Sequence, residues 1–272
     1  MSILISNEQL SFFENHAYER YIDSLVSHYQ QKCPDLYSSI DQTGFRQALK
    51  SCIGQAEAIG FNQKGCVQLY IDMVITFGIG FTTDPQYPWI ALILKEKRHL
   101  SQLEQAFILH HQTENYLSKI CGAQNQFLLD AAYRLERMSL DTVSIRKEHL
   151  LHDILVLLHC IYPQKYAQTE EHNLIALVES GIAKAQNDYQ FEAPSSIALI
   201  VALMFFWGHR FEQDPFYPWA TVENSTEYID GTLVTVDGNK VARALEKQAK
   251  LRLKAFIQKE QNKPFEPDGE DE

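Results

Sequence analysis

Phe77-Gly78-Ile79-Gly80-Phe81-Thr82-Thr83-Asp84-Pro85-Gln86-Tyr87-Pro88-Trp89 returns 130 positions later as Trp207-Gly208-His209-Arg210-Phe211-Glu212-Gln213-Asp214-Pro215-Phe216-Tyr217-Pro218-Trp219. Gly, Phe, Asp, Pro, Tyr, Pro and Trp recur in register, where a chance alignment of that length gives about one match. The pattern continues upstream. Val67, Leu69, Tyr70, Met73, Val74 and Phe77 fall opposite Ile197, Leu199, Ile200, Leu203, Met204 and Trp207. After a one-residue slip, Phe45, Ala48, Leu49, Cys52, Ile53 and Ala56 face Leu174, Leu177, Val178, Gly181, Ile182 and Ala185, one face of an amphipathic helix written twice. Cys33-Pro34-Asp35-Leu36-Tyr37 likewise faces Tyr162-Pro163-Gln164-Lys165-Tyr166, a proline stop between the first and second helix of each copy.

These spacings predict an all-α protein: two tandem repeats of a helical unit packed as a multi-helix bundle. Unit one spans residues 1–122 and unit two 123–262, followed by an acidic disordered tail at 263–272. Helices are expected near 7–32, 42–59, 63–78, 88–97 and 101–120, with Ser6, Asn62 and Ser101 as N-caps. In the second unit they are expected near 124–138, 144–161, 170–188, 195–208 and 238–260. The β-branched stretch Gly231-Thr232-Leu233-Val234-Thr235-Val236-Asp237-Gly238 suits a small hairpin near 232–236 or an extended loop, inserted relative to unit one.

At the corner itself, Pro85 and Pro215 cannot continue a helix, while Asp84 and Asp214 can accept backbone N–H bonds. Pro88 and Pro218 suit a first helical turn. Shared packing is the simpler explanation of a motif kept in both halves. The functional alternative is a partner-binding hot spot made of Asp84, Tyr87, Trp89, Asp214, Tyr217 and Trp219, since Tyr and Trp supply amphipathic anchoring surface.

A net charge of −11 disfavours a nucleic-acid protein, which would concentrate Lys and Arg on one face. The basic helix from Lys240 to Lys254 reads as a solvated face with Val241, Leu245 and Ala249 kept for packing. The apolar run Ile197 to Trp207 is too short to cross a bilayer and reads as a buried helix. No secretion signal opens the chain, so a cytoplasmic protein with no membrane insertion is expected. The five cysteines show no C-x-x-C spacing, and Cys52, Cys66 and Cys160 read as small core residues. No cofactor or metal motif is present. The histidines His110 and His111 with Glu114, and His149 with His152, could form a metal or acid–base cluster, which keeps a metal-dependent enzyme as an alternative.

The string Phe-Gly-x-x-Phe-x-x-Asp-Pro-x-Tyr-Pro-Trp resembles small uncharacterised helical proteins of bacteria encoded beside the spike-tip and toxin genes of type VI secretion systems. The resemblance runs in each unit from the Pro34 and Pro163 stops to Trp89 and Trp219. It implies a duplicated form of a usually single-unit protein and transfers no catalytic residue. The second copy departs from the first where Asp72 becomes Ala202 and Gly80 becomes Arg210. With the acidic charge, the resemblance leads to a non-enzymatic protein-binding role. The partner would be a cognate toxin neutralised by an immunity protein, or an effector loaded onto the secretion spike by an adaptor.

Overall fold

The computed structural model describes residues 6–221, 226–229, 232–235 and 237–262, the two four-residue stretches by backbone alone. It is an all-α structure of twelve α-helices among the described residues, with one small strand pair. The first half of the chain supplies α1 (Asn7–Lys32), α2 (Pro34–Ser38), α3 (Gln42–Ala58), α4 (Lys64–Phe77), α5 (Pro88–Glu96) and α6 (Gln102–Cys121). The second supplies α7 (Gln126–Arg137), α8 (Leu150–Ile161), α9 (Pro163–Ala167), α10 (Glu171–Asn187), α11 (Pro194–Trp207) and α12 (Gly238–Gln261). Between α11 and α12, β1 (Thr226–Ile229) and β2 (Thr232–Thr235) pair antiparallel, with Thr226 opposite Thr235. Only β2 falls in the expected hairpin stretch; β1 lies just before it. The expected tail at 263–272 lies outside the described residues.

Local chemistry explains most boundaries. Ser6 and Ser101 close capping boxes with Gln9 and Glu104, satisfying backbone donors at the starts of α1 and α6. Asn62 does not cap α4. Its N–H and that of Gln63 donate to Gln102 Oε1, at 2.9 Å each, so a side chain from α6 does the capping instead. The prolines expected to stop helices at Pro34 and Pro163 also start new ones, the short α2 and α9, by occupying a first turn whose N–H would be unpaired anyway. The helix expected at 144–161 begins only at Leu150. Asp153 accepts from the Arg146 backbone at 2.9 Å and from its guanidinium at 2.6 Å, folding the preceding residues into a 3-10 turn at Lys147–His149. Pro218 opens a single 3-10 turn (Pro218–Ala220) rather than an α-helix, so α5 has no helical counterpart among the described residues of the second half.

The amphipathic faces pack as the spacing requires. All six of Phe45, Ala48, Leu49, Cys52, Ile53 and Ala56 are buried, and on α10 all but Ile182 are. Helix α11 is apolar all round and every residue from Ile197 to Phe205 is buried, as a central helix must be. No described helix is long and apolar enough to cross a membrane. A single buried cluster contains residues of both halves, and Phe45 meets Phe216 across the boundary with ring centroids 5.6 Å apart. Cys160 is exposed rather than a core residue, because α8 turns Ile154, Leu158 and Ile161 inward.

Where the matched sequences differ, the packing differs in kind. Asp72 accepts from Tyr29 Oη at 2.9 Å and pairs with Lys32 at 2.9 Å. At the matched positions Leu158, Ile161 and Ala202 form an apolar trio, with all three buried. The segment that lacks the aspartate thus also lacks the tyrosine and lysine that contact it.

Candidate functional site: a crossed joint and an open aromatic pocket

Gly78 ends α4 with φ +88° and Gly208 ends α11 with φ +102°, a region L-residues with side chains rarely occupy. The two glycines lie against each other. A Cβ on Gly78 would fall 2.5 Å from the Trp207 carbonyl oxygen, and one on Gly208 would collide with the Phe77 carbonyl. Immediately beyond, the aspartates cross over. Asp214 Oδ2 accepts the Ile79 N–H at 2.8 Å, and Asp84 Oδ2 accepts the His209 N–H at 2.9 Å. Each carboxylate also closes its own turn, through Gln86 N–H to Asp84 Oδ1 and Phe216 N–H to Asp214 Oδ1, both at 2.9 Å. Position 79 matches 209 and position 84 matches 214, so the contacts are reciprocal in the manner of an isologous interface. Gly80 leaves the space that the His209 ring and the Arg210 stem occupy.

This arrangement fixes the chemistry of the six corner residues. Asp84, Asp214 and Tyr87 are buried, with both oxygens of each carboxylate already accepting hydrogen bonds, and present no surface to a partner. Trp89, Tyr217 and Trp219 remain partly exposed. Burial raises the Asp214 carboxyl to about 6, while the N–H groups of Phe216 and Ile79 oppose that rise by stabilising the anion.

The two corners then diverge. In the first, Tyr116 of α6 fills the space beside the corner, with its ring 6.0 Å from Phe77, 5.7 Å from Tyr87 and 5.9 Å from Trp89. Lys165 of α9 closes the same corner from the other half. It is 2% exposed and donates to Tyr87 Oη at 2.8 Å and to the Phe205 carbonyl at 2.5 Å. Burial lowers its ammonium to about 8, against the attraction of Asp84. In the second corner, Leu36 of α2 stands at the position matched to Lys165. The Pro218–Ala220 turn that stands in place of α5 touches α12, yet a cavity of about 630 Å³ remains. Trp207, Phe216, Tyr217 and Trp219 form one side of it, Leu36 and Ser39 a second, and Ala255, Phe256 and Arg252 of α12 a third. Trp207 and Trp219 stack edge-on at 5.1 Å. At the rim Lys259 pairs with Asp35, whereas Arg252 makes no ion pair with any described residue. Such a volume accommodates a few side chains or a drug-sized molecule, with an apolar floor and one available guanidinium to fix orientation.

The histidine expectation fares differently. His110 lies 3.4 Å from Glu114 on the exposed face of α6, while His149 and His152 sit at the start of α8. Among the described residues no group of three or more His, Cys, Asp or Glu side chains could hold a metal. Leu36, Arg252, Phe256 and Lys165 were not singled out by sequence. For Lys165 a signal existed in its alignment with Leu36, a charge opposite an apolar match.

No family model, no curated protein and no solved structure matches the chain.

Proposed function

We propose that the chain is a duplicated, non-enzymatic protein-binding protein whose second corner receives an apolar or aromatic side chain of its partner. The partner would be a cognate type VI secretion toxin neutralised in the cytoplasm. The observation that carries this reading is the contrast between matched corners, one plugged by Tyr116 and Lys165 and the other open around Trp207, Tyr217 and Trp219. A pocket that packing does not fill, floored by Tyr and Trp, has the composition of an interface hot spot. The net charge of −11 supports occlusion of a basic toxin surface through complementary charge. The sequence resemblance supplies the locus.

Co-expression with each protein encoded beside it, in search of such a toxin, tests this. The wild-type chain should protect cells and co-purify with the toxin. Ala255→Trp and Ser39→Trp, which fill the pocket, should abolish both effects, while an exposed substitution far from it, Trp89 side included, should abolish neither. A stable complex in cells that still die would identify an adaptor instead. Full protection by both pocket-filling variants would refute the pocket as the binding site.

A further inference from the structure

The α12 wall of the open corner is one face of a helix. Arg252, Ala255, Phe256 and Lys259 recur at i, i+3, i+4 and i+7 and all line the cavity, so this wall runs about 10 Å at the helical rise of 1.5 Å per residue. Its two ends differ. At one end Lys259 pairs with Asp35 of α2, and Glu260 beside it is engaged as well. At the other, Arg252 is only partly exposed, yet its guanidinium makes no hydrogen bond or ion pair with any described residue. It has lost part of its hydration with no anion in return. The cation of the first corner is treated otherwise, since Lys165 is held by Tyr87 Oη and the Phe205 carbonyl of the chain itself.

Between the two ends the wall is apolar. Phe256 follows Arg252 by one turn, about 6 Å along the axis, and Trp207 and Trp219 stand on another side of the same cavity. A complementary occupant therefore offers an apolar or aromatic body with a carboxylate about one helical turn away. An acidic residue next to an aromatic one in a partner fits poorly, because adjacent side chains point to opposite faces of a strand and lie about 100° apart on a helix. A chain terminus fits well. The last residue carries its carboxylate on the same Cα as its side chain, and a guanidinium fork holds a carboxylate through two parallel N–H···O bonds.

We propose that the pocket captures the C-terminal residue of the partner chain, a large apolar or aromatic one, with its side chain among Trp207, Trp219 and Phe256 and its α-carboxylate on Arg252. This rests on the reading of the pocket as the partner site and adds which segment of the partner enters it. In a chain of net charge −11 a carboxylate is otherwise repelled, so the preference for one depends on Arg252.

N-acetyl-L-phenylalanine and its amide, which differ only in the charge at the terminus, are the probes, titrated into the full chain while tryptophan emission is followed. The acid should bind about tenfold or more tightly than the amide. Arg252→Gln should remove that difference, with circular dichroism to verify folding, and Ala255→Trp should block both probes. If Ala255→Trp blocks both but the wild type binds acid and amide equally, or the preference survives Arg252→Gln, the pocket reading stands and the C-terminal assignment is overturned. Binding of N-acetyl-aspartyl-phenylalaninamide as tight as that of the acid also overturns it, by assigning an internal acidic segment instead. If neither probe binds, as when another part of this chain or a second copy fills the cavity, or if Ala255→Trp binds both unchanged, the pocket reading falls with it.

Discussion

Lys165 shows how one residue can set a local character. Its ammonium is buried without a carboxylate in contact, held by a phenol and a carbonyl and flanked by the rings of Tyr87 and Phe205, each 5.2 Å away. Because burial lowers its value to about 8 when folded, the unfolded chain keeps the proton to higher pH. Between pH 8 and about 10.5 the unfolded state binds more protons, so this group's penalty is fully present below pH 8 and fades as pH rises. Lys165→Leu, which copies Leu36 at the matched position, removes that dependence. Urea unfolding should therefore show the wild type gaining on the variant by up to about 3 kcal/mol between pH 7 and pH 10.5. Parallel stability curves would place the lysine in a far wetter site than the one described. The alignment with Leu36 marks position 165 in the sequence, but the burial of Lys165 was not legible, because it is imposed by a corner from the other half.

The helices were the most legible elements, because periodicity encodes a buried face directly. The faces of α3, α4, α10 and α11 were legible but for Leu69, Ile182 and Trp207, which are only partly buried. Boundaries set by distant side chains were not legible. Gln102 capping α4, and Asp153 holding Arg146 ahead of α8, depend on partners the local sequence does not announce. The corner belongs between these cases. Its Gly, Asp and Pro residues announced a turn, but not that each aspartate would serve the opposite copy. That exchange makes the glycines the most demanding positions of the joint. Gly78→Ala and Gly208→Ala each add a Cβ against a carbonyl of the other segment at positive φ, and each should cost about 3 kcal/mol or more in thermal or denaturant unfolding. At Gly54, where no atom lies within 4 Å of a built Cβ and the backbone is helical, alanine should instead be neutral or stabilising.

At the scale of the molecule, the matched halves meet through a reciprocal joint and then use it differently. One corner is completed by α5, α6 and Lys165. The other ends in a single turn and leaves an aromatic cavity between α2 and α12. The repeated string revealed both corners. The difference between them was out of reach, because it lies in which helix returns to cover each one. The most direct test is a fluorescence titration of the native chain with 1-anilinonaphthalene-8-sulfonate, an aromatic anion suited to the tryptophan floor and Arg252. One saturable site is expected, with quenching of tryptophan emission on binding and loss of that site in folded Ala255→Trp. Absence of binding by the wild type, or an unchanged site in Ala255→Trp, would contradict that expectation.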